Sequence, residues 1–293
     1  MIKEIIDKLV ALLAVSALLA SCSESELWQN PQTEARDGYI MLNFKTEIPA
    51  MQEVVTRAVD PDGGGVQDMT LFCFDSYGLF ISTVKAGVTV QKPGPGEMEG
   101  TFKAEVPENT RTIHFLANQN MDEFKEDSFR NKSESEVMAV LEGSSGRMIY
   151  WGRFACDAGN DSNIAEQMAT SGNSVKLIRN HARISVDNPD NNGHIVITGF
   201  AVCNTNAFGT VAPHHPKKGF DFTWPSSDDP FVTLPVNDAK MSDITDVTSS
   251  MNQYVFECEN SADAPVSVIL RGHLPDQDEE KYYRVLLVDD KGE

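Results

Sequence analysis

From Gly38 onward, apolar and polar positions alternate with a period of two over much of the chain. In Gly38 to Ile48 (GYIMLNFKTEI), Tyr39, Met41 and Asn43 fall on one face and Ile40, Leu42 and Phe44 on the other, which predicts a β-strand. Met69 to Phe74 (MTLFCF) is almost continuously apolar, as a central strand should be. Asp75-Ser76-Tyr77-Gly78 then supplies a turn, and Leu79 to Val84 the partner strand. Thr101 to Val106 alternates like a half-exposed strand, Arg111 to Asn118 reads as another with His114 as an ordinary strand residue, and Met148 to Gly152 is an aromatic strand.

Between these runs lie two long breaks, Pro49 to Gly65 and the Pro/Gly-rich Gln91 to Gly100, both predicted as loops. One helix is expected. Ser133 caps it, Glu136 follows three residues later, Val137, Met138 and Leu141 share a face, and Gly143 ends it, a short helix suited to packing over a sheet edge. Asp157 to Asn173 is polar and reads as the loop between two domains. Beyond it, Val175 to Val186, Ile195 to Val202, Gln253 to Cys258, Val266 to Leu270 and Tyr282 to Val288 all read as strands separated by Pro, Asp and Asn turns. Many short strands with a minor helix predict an all-β chain of antiparallel β-sandwiches. The expected division is an N-terminal sandwich over 38–172 and a C-terminal one over 173–293.

The residues before Gly38 follow a different rule. Lys3 and Lys8 precede an apolar stretch from Leu9 to Leu19, and small residues lead to Cys22 in Leu19-Ala20-Ser21-Cys22. The run is too short for a permanent membrane span, so residues 1–21 read as a secretory signal and the cysteine makes it a lipoprotein signal. Cys22 is then the expected lipidation site and mature N-terminus. Residues 22–37 are polar and aperiodic, a flexible tether to the lipid. Its acidic start, Ser23-Glu24-Ser25-Glu26, resembles the surface-export signals of anaerobic Gram-negative lipoproteins.

At 293 residues and 41% hydrophobic content, the chain can bury two ordinary cores. Its formal charge of -20 and pI near 4.6 exclude nucleic acid and anionic membrane surfaces as partners, since both would repel it. Cys73, Cys156, Cys203 and Cys258 are too widely spaced for a CxxC site. An export compartment permits disulfides, yet apolar contexts such as LFCFD favour free thiols in strands.

No phosphate loop, zinc spacing, nucleophile elbow or calcium loop occurs with the spacing its chemistry requires. His214-His215 sit in a Pro-flanked loop beside Lys217-Lys218, and pairs such as Asp228-Asp229 and Glu279-Glu280 read as solvated turns. The chain is therefore expected not to be an enzyme and to need no cofactor or metal.

Several strand sequences carry a resemblance to a known family. Asp68 to Asp75 (DMTLFCFD) closed by Gly78, Val175 to Arg183 (VKLIRNHAR), Asn206 to Val211 (NAFGTV), Gln253 to Glu257 (QYVFE) and Lys281 to Leu286 (KYYRVL) are similar, in that order behind a lipoprotein signal, to segments of the fimbrillins, subunits of type V pili. The resemblance implies two transthyretin-like or immunoglobulin-like sandwich domains, exported as a lipoprotein to the outer membrane and assembled into a surface fimbrium. It also implies that an arginine-specific protease cuts after an arginine in the loop following the first strand, and that a strand of another pilus subunit fills the opened groove. The matching bond is Arg57-Ala58. Arg36 is a rival, but it precedes the first strand, so a cut there releases none.

Family chains continue with an Arg-Asn-bearing final strand and a tail, whereas this chain stops at Asp289-Asp290-Lys291-Gly292-Glu293, so that either the sequence is a truncated product or its last strands are absent by design. Within the resemblance, a stalk subunit, an anchor and a tip adhesin with a host or microbial receptor all stay open. A surface glycan-binding lipoprotein for nutrient uptake is the alternative from another class. It would need an exposed aromatic platform, for which Trp224 in FDFTWP is the better candidate and Trp151 the other.

Overall fold

The structure is a computed structural model that describes residues 35–48, 65–93, 98–144, 148–186, 195–214, 232–235, 241–246, 252–258 and 263–287. The described chain is mostly strand with two short α-helices and a single 3-10 turn at Glu126–Ser128, the all-β class expected from the alternation.

The first sheet holds β1 (Tyr39–Glu47), β2 (Met69–Phe74), β3 (Phe80–Pro93), β4 (Met98–Pro107), β5 (Thr112–Ala117), β7 (Tyr150–Ala155), β8 (Ser174–Lys176) and β9 (Ile178–Arg179). Its order is β8-β1-β4-β3-β2-β5-β7-β9. The sheet doubles over through β3, whose Phe80 to Ala86 pair with β2 and whose Gly87 to Pro93 pair with β4, with register shifts on both sides. Such bulges bend a strand and raise its twist, which lets one strand serve both layers. The two layers face each other across one core, where the ring of Phe44 on β1 meets that of Phe115 on β5 edge-on at 5.0 Å. Leu42, Phe44, Leu71, Phe102, Ile113 and Tyr150 are all fully or almost fully buried there.

The other face of β2-β5-β7 carries Phe72, Phe74, Leu116 and Trp151 and is also covered. The predicted helix, α1 (Glu134–Met138), has the Ser133–Glu136 capping box and lays Val137 and Met138 onto this face. It therefore covers a sheet face rather than an edge. The stretch read as a polar interdomain loop, Asp157 to Asn173, contains a second helix, α2 (Ile164–Thr170), with its own capping box between Asn163 and Glu166. Ile164, Ala165 and Met168 of α2 enter the first core.

The run from Val175 to Val186 is not one strand. It breaks at Leu177 and Asn180 into β8, β9 and β10 (His181–Ser185), of which the first two belong to the first sheet and the third pairs with β14 (Asn252–Phe256). The first sheet thus runs on to Arg179, past the division read at residue 172. Gln91 to Gly100 is likewise shorter as a loop than expected, because β3 extends to Pro93 and β4 starts at Met98.

The rest forms a smaller unit. A four-stranded antiparallel sheet runs β13-β11-β15-β16, with β11 (Val196–Cys203), β13 (Thr245–Asp246), β15 (Ser267–His273) and β16 (Lys281–Leu286). Its core is modest: Val186, Phe200, Val202 and Val268, backed by Ile184 and Val255. The halves meet where β6 (Glu142–Ser144) pairs with β12 (Phe208–Thr210). Gly143 and Gly209 let this pair close on Phe256, since a Cβ on Gly209 would lie 2.5 Å from the Cβ of Phe256.

Candidate functional site

The strand whose removal the fimbrillin resemblance implies corresponds to β1, and the candidate site is the slot it fills. β1 lies between β4, antiparallel from Tyr39↔Pro107 to Thr46↔Gly100, and β8, parallel from Lys45↔Ser174 to Glu47↔Lys176. Its burial alternates strictly: Ile40, Leu42, Phe44 and Thr46 face inward and Tyr39, Lys45 and Glu47 face solvent. Ile48 continues the inward row at 3% exposure. Phe44 stacks on Phe102 of β4 at 5.6 Å. Fully burying four such apolar side chains is worth about 6–12 kcal/mol. Removal of β1 would expose that surface together with the unpaired backbone of β4, which is costly enough to require a replacement strand.

Both ends of β1 are fastened. At the start, Arg36 donates its backbone N–H to Glu105 Oε1 at 2.5 Å and its Nε to Glu105 Oε2 at 2.7 Å, and its guanidinium lies 4.3 Å from the Tyr39 ring centre. The Arg36 N–H and guanidinium hold the Glu105 carboxyl below its ordinary range. At the end, Leu177 donates to the Glu47 carbonyl at 2.8 Å and Ser174 Oγ to Glu47 Oε1 at 2.6 Å.

Where the chain resumes, Asn118 fixes Gly65 to Asp68. Its Oδ1 accepts from the N–H of Gln67 at 2.8 Å, and its Nδ2 donates to the carbonyls of Gly65 and Met148 at 2.8 and 2.9 Å. Asn118 adopts φ of 64°, a left-handed conformation that asparagine tolerates better than most residues. Val66, pinned by this clip, is buried in the first core. The chain just after the 49–64 connection is thus held independently of β1. The sequence reading placed Asn118 at the end of a strand without this role; the one local signal was an asparagine closing an apolar strand.

Cys22, Arg57, Ala58 and Trp224 lie outside the described residues. Arg36, the rival cut site, is exposed and bound to Glu105 as above. Trp151 is buried and donates Nε1–H to His114 Nδ1 at 3.1 Å, so it offers no glycan platform. His214 donates Nδ1–H to the Val232 carbonyl. Among the described residues no group of three potential ligands could hold a metal ion. Cys73, Cys156, Cys203 and Cys258 are free thiols; burial raises that of Cys73 to about 12, which makes it inert.

A second polar cluster sits on the far face of the β2-β5-β7 layer. His114 Nε2 donates to Glu134 Oε2 at 2.7 Å, while Arg153 grips the same carboxylate with Nε at 2.6 Å and a terminal nitrogen at 3.0 Å. The carboxylate is held at about 2: burial pushes it up, but the hydrogen bonds from His114 and Arg153 outweigh that. This cluster fastens α1 to the sheet, since Glu134 is the first residue of α1 and His114 and Arg153 stand on β5 and β7.

No family model matches the chain, and no curated protein matches it in sequence. Solved structures do match. A candidate cell adhesion protein from Parabacteroides distasonis superposes with a TM-score of 0.50 at 14% identity, covering 84% of this chain and 80% of that one. The tip fimbrial protein Mfa3 from Porphyromonas gingivalis, with C-terminal truncation, superposes with a TM-score of 0.50 at 13% identity, covering 86% and 83%. In its fold, this chain is similar to a cell adhesion protein and to a tip fimbrial protein over 84–86% of its length.

Proposed function

We propose that this chain is a fimbrial subunit or pilus-associated surface lipoprotein, acting through strand exchange and adhesion rather than turnover. The observation that carries the proposal is the placement of β1. It is an inner strand that places Ile40, Leu42, Phe44 and the following Ile48 in the core, and the chain runs from it to β2 through 49–64. One cut in that connection turns a strand of the fold into a separable ligand of it. The slot left between β4 and β8 then takes an extended strand from another subunit, by main-chain pairing and alternate side-chain pockets.

In this reading Cys22 carries the lipid that brings the precursor to the outer membrane and cell surface. Cleavage at Arg57-Ala58 by an arginine-specific protease then discards tether, lipid and β1 together. A stalk subunit is cut; an anchor keeps β1 and its lipid; a tip adhesin meets a receptor. The likeness in fold to a tip fimbrial protein supports the family of roles, and the buried Trp151 is no platform for the glycan-uptake alternative, whose other candidate is Trp224.

Limited digestion with an arginine-specific protease, followed by N-terminal sequencing and sizing, tests the proposal. A new N-terminus at Ala58 with monomer passing into polymers supports a stalk subunit. Resistance at Arg57 under native conditions favours the anchor.

A further inference from the structure

The inward row of β1 contains one misfit. Ile40, Leu42, Phe44 and Ile48 are apolar, but Thr46, at the fourth inward position, carries a hydroxyl into the core at 0% exposure. Among the described residues its Oγ1 has no hydrogen-bond partner. Its surroundings explain why. Opposite it on β4 stands Gly100, which brings no side chain, and on β8 Val175, which is apolar and buried. The Phe102 ring leans over Gly100 so closely that a Cβ there would sit 2.5 Å from it, while Thr46 Oγ1 would be 3.3 Å from that same position. The hydroxyl therefore ends against glycine backbone and the rim of an aromatic ring. A buried hydroxyl without a partner loses its water and gains nothing in exchange.

We infer that Thr46 is a specificity-determining residue that makes β1 a deliberately imperfect occupant of its own slot. A donor strand with a β-branched aliphatic residue at this register is preferred over it. The inference rests on the proposal that β1 is exchanged, and it adds the chemistry of the incoming strand. That strand is extended and antiparallel to β4, with apolar side chains at alternate positions and Val or Ile opposite Gly100. Valine matches threonine in shape, so the Phe102–Gly100 wall accepts it without repacking. Exchange is then downhill at this position even when every other pocket is filled equally well.

The test compares the wild-type chain with Thr46→Val in two measurements. In the uncut chain, urea unfolding is expected to show the variant more stable, with its folded-to-unfolded ratio raised about tenfold. An unchanged or lower stability overturns the inference, whether or not the protease ever cuts. After digestion with the arginine-specific protease, the fragment ending at Arg57 is followed by native mass spectrometry as synthetic peptide Gly38 to Ile48, with Thr or Val at position 46, competes for the slot. The Val peptide is expected to displace the wild-type fragment at about tenfold lower concentration than the Thr peptide. Equal potency of the two peptides overturns the inference. Absence of any cut at Arg57 defeats the excision proposal alone, since the unfolding comparison still decides the part played by Thr46.

Discussion

Trp151 on β7 donates its indole N–H to Nδ1 of His114 on β5, at 3.1 Å, and so fixes which imidazole nitrogen carries the proton. Nδ1 is the acceptor, Nε2–H therefore points at Glu134 Oε2, and Arg153 completes the carboxylate's shell. Burial lowers the affinity of His114 for a second proton, against the pull of Glu134. Two strands of the sheet and the N-terminus of α1 are thereby tied through one neutral histidine. Glu134→Gln keeps the shape but removes the charge, leaving Arg153 buried beside a neutral amide. A loss of about 3 kcal/mol is expected in urea unfolding, within the range for breaking a buried pair.

Acid should weaken the fold in two steps, both of the same sign. His181 is buried at the seam between halves, its ring 3.9 Å from that of Phe256, and burial lowers it to about 4 from its ordinary 6.5. A depressed folded-state value means the unfolded chain binds the proton first. The stability is intact above about 6.5 and is lost as pH falls toward 4, by up to about 3 kcal/mol. Glu134, held at about 2, adds a second loss as pH falls from its ordinary 4.5 toward 2. Unfolding curves measured from pH 7 to pH 4 should show the first step, and His181→Gln should flatten it. An unchanged slope in that variant counts against the assignment.

The polar stretch from Asp157 to Asn173 contains the packed helix α2, whose cap has a measurable weight. Asn163 Oδ1 accepts from the N–H of Glu166 at 3.0 Å, and Glu166 Oε2 accepts from the N–H of Asn163 at 3.2 Å. Asn163→Ala should cost about 1 kcal/mol in urea unfolding. Asn163→Ser, which restores a capping oxygen, should recover most of it.

The β6–β12 pair makes a different prediction. A side chain at Gly209 meets Phe256 at 2.5 Å. Gly209→Val should force these strands off Phe256 at a cost of about 1–3 kcal/mol. If this pair couples the halves, calorimetry should resolve two transitions in the variant where the native chain shows one.

Asn118 holds the segment leading into β2 by contacts that do not involve β1. Asn118→Ala removes the acceptor of Gln67 N–H and the donor to Gly65 and Met148, and puts alanine at a left-handed φ. A loss of about 2–4 kcal/mol is expected. Faster amide exchange at Gln67 is the local signature that separates this from general loosening.

How far these relationships were legible in the sequence depends on their range. The β1 alternation, the Asp75 to Gly78 turn and the Ser133–Glu136 capping box are local, and each stands in the structure as read. The helix α2 was equally local, with Asn163 and Glu166 at capping-box spacing and Ile164, Ala165 and Met168 on one face, but polar neighbours from Asp157 to Asp161 masked its short apolar stripe. The break of Val175 to Val186 into three strands had no local signal. It depends on Gly152, where a Cβ would lie 2.7 Å from the Lys176 carbonyl, so the path of β8 is set by a strand distant in sequence. Thr46 looked like an ordinary alternation position; only pairing with Gly100 and Val175 shows that its hydroxyl is stranded.

The central claim is that β1 is a separable ligand of an otherwise self-supporting fold. Native mass spectrometry of the folded chain after treatment with an arginine-specific protease measures this directly. The account predicts a folded species beginning at Ala58 that has shed the fragment ending at Arg57, accompanied by oligomers of the trimmed chain. A folded chain that remains uncut at Arg57, or one that is cut yet collapses to unfolded material even with β1 peptide supplied, would contradict it.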